Sequence, residues 1–133
     1  MKRRSFAAVF ALACLGLGLG VTRVAHALDI RAYDAATLVG LQGAGKPVAV
    51  HFHADWCPTC VNQTRTLEKL KAEGQLQGMT VLVANYDTEA ELKRAHKVRS
   101  QSVLLVFKGA TEVARLGGES RPEPLRQALA KAL

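Results

Sequence analysis

Apolar residues in this chain fall into short dense runs that alternate with spaced stripes. The runs Val48-Ala49-Val50-His51-Phe52, Val81-Leu82-Val83-Ala84 and Val103-Leu104-Leu105-Val106-Phe107 are too short for helices. They are mostly apolar at consecutive positions, as strands buried on both faces are. Residues 28–33 read as a further short strand, and Asp34 caps a helix to about residue 41. A loop over 43–47 precedes the strand at 48–53. A helix then starts at Cys57 and Cys60 and runs to about residue 72. Its inner face carries Cys60, Thr64, Leu67 and Lys71, flanked by Val61 and Leu70. After a connection over 74–78 comes the strand at 79–85. Thr88 and Glu91 form a capping box for a helix over 89–96. The strand at 103–107 turns at 108–111 into another at 112–116. Ser120 and Glu123 make a second capping box, before a helix with the apolar face Leu125, Ala128, Leu129, Leu133. The order β-α-β-α-β-α-β-β-α predicts an α/β domain. Helix-linked strands imply parallel pairs, and the tight turn near Gly109 implies an antiparallel edge. The result is a mixed sheet covered by helices on both faces.

Charge and chain start change this picture at one end. Lys2, Arg3 and Arg4 precede an apolar run over 6–20, and Ala25-His26-Ala27 has the small-x-small form of a cleavage site. We read residues 1–27 as a cleavable signal peptide, because the run falls short of the roughly 20 residues a spanning helix needs. Arg3-Arg4-Ser5-Phe6 also fits the twin-arginine pattern. The remaining residues, 28–133, make one small domain. The net charge of +7 falls to +3 without the leader, since four basic residues leave with it. The basic balance therefore gives no argument for nucleic-acid binding. Cys14 leaves too, so the exported domain has one cysteine pair, Cys57 and Cys60, in a compartment where disulfides persist.

That pair sits where a strand ends and a helix begins. The free N–H groups of the first helical turn and the helix dipole stabilise a thiolate there. Pro58 suits a position that needs no N–H partner. Cys60 lies one turn deeper on the same face, within bonding reach. A loop that short adds little chain-entropy stabilisation, which argues against a structural staple. An exposed first cysteine and a shielded second one suit attack followed by resolution. A different chemistry also fits the residue types. His51, His53, Cys57 and Cys60 form a ligand set that zinc or copper uses, if the two histidines face the sulfurs.

Ala54-Asp55-Trp56-Cys57-Pro58-Thr59-Cys60 after an apolar strand resembles the active site of the thioredoxin family. Residues 84–118 resemble the second half of thioredoxin, and "ADWC" is similar to the reducing C-terminal domain of DsbD-type membrane thiol transporters. The resemblance implies a thioredoxin-like fold and thiol–disulfide oxidoreductase activity. Cys57 would attack a substrate disulfide and Cys60 would resolve the mixed disulfide. Trp56 would shield the site and help dock substrate, Pro58 and Thr59 would tune the potential, and Gly117 would let a substrate chain approach. No cofactor is implied beyond the Cys57–Cys60 dithiol/disulfide couple itself.

Three positions depart from the family. Its cis-proline is replaced by Ser102, after Gln101; a cis bond without proline costs roughly 3–4 kcal/mol, so a trans peptide or reshaped loop is expected. The Gln101 backbone remains a candidate for pairing with substrate. The buried Asp and its Lys partner are replaced by His51 and Val83. His51 either handles protons for Cys60 or is a buried neutral histidine. His53 stands where thioredoxin has a tryptophan; if charged it would acidify Cys57, while Asp55 would oppose the thiolate.

The chain has room for neither the helical insertion of the oxidising DsbA type nor an added dimerisation domain of the isomerase type. The expectation is a periplasmic, monomeric reductant of disulfides in exported proteins, supplied with electrons by a membrane thiol donor of DsbD type. The alternatives are a metal-handling protein and a non-catalytic thioredoxin-like binding module.

Overall fold

The computed structural model describes residues 26–133. The expectations about the leader, including Cys14 and the twin-arginine pattern, fall almost wholly outside these residues. Among the described residues no helix is long and apolar enough to cross a membrane. In chain order the elements are β1 (Asp29–Ala32), α1 (Ala35–Gly43), β2 (Pro47–His53), α2 (Pro58–Ala72), β3 (Thr80–Asn85), α3 (Ala90–Ala95), β4 (Val103–Lys108), β5 (Thr111–Gly117) and α4 (Pro122–Ala130). This is the predicted order.

The sheet runs β1-β3-β2-β4-β5. β3 pairs parallel with β1 and with β2, while β2–β4 and β4–β5 are antiparallel. The rule that helix-linked strands pair in parallel therefore fails across α3. A six-residue helix spans only about 9 Å, less than half the length of a six-residue strand. The chain does not return to the start of the sheet, and β4 enters beside β2 in the reverse direction.

β2 sits at the centre and divides the core. Val48, Val50 and Phe52 face a cluster with Leu38, Leu92 and Leu105. Ala49, between them, faces Leu67, Leu70 and Leu125 on the α2 and α4 side. By the same alternation His51 and His53 lie on the Ala49 side. Each face holds fully buried leucines or phenylalanine, each contributing on the order of 2 kcal/mol.

Helix starts are where the sequence reading needs correction. Asp34 does cap α1, accepting from the Thr37 N–H at 2.8 Å. Neither predicted capping box forms. Asn85 Oδ1 instead takes the N–H groups of Asp87 and Thr88, and Glu89 becomes the N-cap of α3 without a side-chain bond. Pro122 sets the start of α4 one residue past Arg121, because its ring favours the first helical position. The last residue of the chain, Leu133, lies beyond α4 and is exposed; Ala132 is buried in its place. On α2 the fully buried positions are Cys60, Gln63, Leu67 and Leu70. Gln63 thus takes the place expected for Thr64, and Lys71 is only half-buried.

Candidate active site

The carboxyl end of β2 delivers the chain through Ala54-Asp55-Trp56 to Cys57, the N-cap of α2. Its sulfur does the work of a capping oxygen, accepting the Cys60 N–H at 3.2 Å. Both cysteines are free thiols. Cys60 is shielded as expected, at 0 % exposed, but Cys57 is far more covered than the sequence suggested, at 3 %. The cover is Ser102, itself buried, whose hydroxyl oxygen lies 3.1 Å from each sulfur.

The two thiols are driven apart in acidity. Burial works against the Cys57 thiolate, but hydrogen bonds from Cys60, Ser102 and the backbone N–H groups of Cys60 and Thr59 outweigh it. The Cys57 pKa falls below that of an ordinary thiol. Cys60 goes the other way, raised first by burial and then by its hydrogen bond to Cys57. One thiol is thus prepared as a nucleophile, and the other keeps its proton until it is needed.

The peptide bonds around Ser102 are all trans, and Ser102 adopts φ +63°. Left-handed backbone is rare for a residue other than Gly, Asn or Asp and costs about 1–2 kcal/mol. Three hydrogen bonds hold it there. The Ser102 N–H donates to the Phe52 carbonyl at 3.0 Å, and its own carbonyl accepts from the Gly118 N–H at 3.0 Å. The third comes from Gln63, whose amide nitrogen donates to that carbonyl at 2.9 Å and to the Glu119 carbonyl at 2.8 Å.

His51 pairs in register with Val83 on the neighbouring strand. Its Nε2 lies 2.8 Å from Gln63 Oε1, and its Nδ1 is buried without a partner. Burial pushes its pKa down to about 4, so the ring is neutral. His53 stacks edge-on against it at 5.5 Å between ring centroids. It meets Asp55 at 3.2 Å and the Thr64 hydroxyl at 3.4 Å. Among the described residues no group of three or more His, Cys, Asp and Glu side chains lies close enough to share a metal ion.

The other predicted positions lie before and within the first turn of α2, ahead of β4 and at the end of β5. Trp56 is 61 % exposed and donates its indole N–H to Asp87 at 2.9 Å. Pro58 is exposed in the first turn of α2, Thr59 half-buried beside it, and Gln101 half-buried in the approach to Ser102. Gly117 closes β5 opposite Val103, with nothing within 4 Å of where a Cβ would stand. Three residues escaped the sequence reading: Gln63, Asp87 and Tyr86, which packs against Ala54, Cys57 and Cys60. Gln63 carried a usable signal, since it follows Cys60 by three and so shares its helix face.

A sheet of this order with two free thiols of opposed acidity at a strand-to-helix junction is the arrangement of a thiol–disulfide oxidoreductase. The family comparison makes the assignment specific: the thioredoxin family model matches residues 32–131, and the chain belongs to that family. It is 33% identical over 89 residues to a thioredoxin of Mycobacterium tuberculosis, covering 67% of this chain and 76% of the relative. A thioredoxin of Chlamydia pneumoniae is 38% identical over 71 residues, covering 53% of this chain and 68% of its own length. Among solved structures, Trxlp from Edwardsiella tarda superposes with a TM-score of 0.71 at 34% identity. That match covers 76% of this chain and 98% of the other.

Proposed function

We propose that this oxidoreductase is exported to the periplasm and reduces disulfides of exported proteins. The observation that carries the reading is the asymmetry of the pair: an acidified Cys57 at the N-cap and a Cys60 thiol held protonated beneath it. Cys57 thiolate attacks one sulfur of a client disulfide. One client thiolate leaves and a mixed disulfide forms. Cys60 then loses its proton and attacks Cys57 Sγ, the second client thiolate leaves, and the Cys57–Cys60 disulfide is formed as the client gains two electrons. A membrane thiol donor of DsbD type returns the pair to the dithiol. Trp56, Gln101 and Gly117 form the docking rim around the sulfurs, and the mature domain, residues 28–133, acts as a monomer. Export is supported by the basic, then apolar, start of the chain and its Ala25-His26-Ala27 motif. Reduction is supported by the thioredoxins among its relatives.

The deciding measurement is the equilibrium of the Cys57–Cys60 couple with a glutathione buffer, with turnover on a protein disulfide measured alongside. A potential near thioredoxin's, about −270 mV, and loss of turnover in Cys57→Ser are expected. A potential near about −120 mV would overturn the reductive assignment.

A further inference from the structure

Gln63 is buried to 1 % exposure on α2 and is not one of the cysteine-motif residues. Its amide touches three separate parts of the fold. Both amide hydrogens are used, one on the Ser102 carbonyl and one on the Glu119 carbonyl. Those carbonyls belong to the loop entering β4, which also carries the Ser102 hydroxyl to the sulfurs, and to the loop leaving β5. With its nitrogen committed as a double donor, Gln63 presents only its oxygen to His51 Nε2. His51 therefore carries its proton on Nε2 and leaves Nδ1 as a bare lone pair.

We propose that Gln63 is a positioning residue for the dithiol: by clamping the Ser102 carbonyl it holds the left-handed turn that sets the Ser102 hydroxyl between Cys57 and Cys60. The proposal rests on the reading of Cys57 as the attacking thiol. A serine hydroxyl has one hydrogen and so donates to only one of the two sulfurs. Cys60 has a good acceptor in Ser102 Oγ at 3.1 Å and a poor one in the Phe52 carbonyl at 3.8 Å. In the arrangement that favours the Cys57 thiolate, Ser102 O–H donates to the Cys57 sulfur, and Cys60 S–H is shared between that sulfur and the Ser102 oxygen, so the hydroxyl links the two thiols in a chain. Gln63 touches neither sulfur in this chain. It acts by keeping the middle link in place against the cost of a positive φ.

The test is a titration of the Cys57 thiolate by ultraviolet absorbance and by pH-dependent alkylation. It compares the wild type, Ser102→Ala, Gln63→Met and the double variant, with stability measured separately. Ser102→Ala removes one atom and is expected to raise the Cys57 pKa by about one unit, roughly a tenfold loss of thiolate at fixed pH. Gln63→Met is expected to produce a rise of the same size, and the double variant no more than either alone. Gln63→Asn, which keeps an amide but cannot span all three partners, serves where Gln63→Met does not fold, with the same outcome expected. An unchanged Cys57 pKa in Ser102→Ala or in the Gln63 variants overturns the proposal. So does a double variant whose rise equals the sum of the two, because Gln63 would then act by a route that bypasses Ser102. The titration needs no turnover, so it can fail while disulfide exchange proceeds, and exchange can fail while it succeeds.

Discussion

His51 Nε2 stands 2.8 Å from the Gln63 side-chain oxygen, with both residues 1 % exposed. Burial keeps the imidazole neutral against the opposing pull of this contact, and makes it a source of pH-dependent stability. Burial holds its native pKa at about 4, whereas an unfolded histidine titrates near 6.5. Between those values the unfolded chain binds a proton that the native ring refuses. Stability is therefore complete above about pH 6.5 and declines as pH falls towards about 4, by up to about 3 kcal/mol. His96, also lowered by burial, acts in the same direction. The measurement is the urea midpoint across this window for wild type and His51→Leu. The variant starts less stable but should show a clearly flatter decline; an identical slope would refute the assignment.

The two thiols should react in a fixed order. Cys57 is the more acidic and keeps a sliver of exposure, while Cys60 is fully covered and its pKa is raised. Limited iodoacetamide treatment of the reduced protein, followed by peptide mass analysis, should label Cys57 at least about tenfold faster than Cys60. The rate at Cys57 should rise through a pKa below that of an ordinary thiol. Equal labelling would mean that the N-cap and the Ser102 hydroxyl do not separate the pair.

What was readable beforehand follows from where the physics is local. The runs around Val50, Leu82 and Leu105 declare themselves because a strand buried on both faces tolerates few polar residues. Asp34 and the Cys57-Pro58 start are likewise decided by neighbouring residues. The failures involve competition or distance. At Thr88 a capping box was available, but the Asn85 side chain, at the end of β3, took the Thr88 N–H that Glu91 would have bonded, together with the Asp87 N–H. Gln63 goes unremarked in the sequence because its three partners come from β2 and from loops near residues 102 and 119. The positive φ of Ser102 is set by those same long-range bonds, so nothing next to it in sequence announces it.

The Trp56–Asp87 hydrogen bond joins the loop before α2 to the turn after β3 at 2.9 Å. Both residues are solvent-exposed, so its contribution to stability is modest. Asp87→Ala should cost less than about 1 kcal/mol. It should nevertheless free the indole, seen as faster hydrogen exchange at Trp56 Nε1. If Trp56 belongs to the docking rim, reaction with protein disulfides should slow while a small aromatic disulfide reacts unchanged. A stability loss of several kcal/mol would instead give this contact a core structural role.

Gly117 and Gly118 separate docking from folding. Gly118 has φ +67°, where a side chain is strained, and its N–H holds the Ser102 carbonyl. Gly118→Ala should destabilise the domain by about 1 kcal/mol. Gly117 has ordinary backbone angles and open space beside its Cα, so Gly117→Ala should leave stability unchanged or raise it by up to about 1 kcal/mol. If Gly117 belongs to the docking rim, its methyl would nevertheless stand in the path of a client backbone. Turnover of a protein disulfide by Gly117→Ala should fall about fivefold, the equivalent of about 1 kcal/mol of docking. Reaction with a small-molecule disulfide should be unaffected. Equal slowing of both substrates would place the effect on the thiols, and no slowing of either would remove Gly117 from the docking rim.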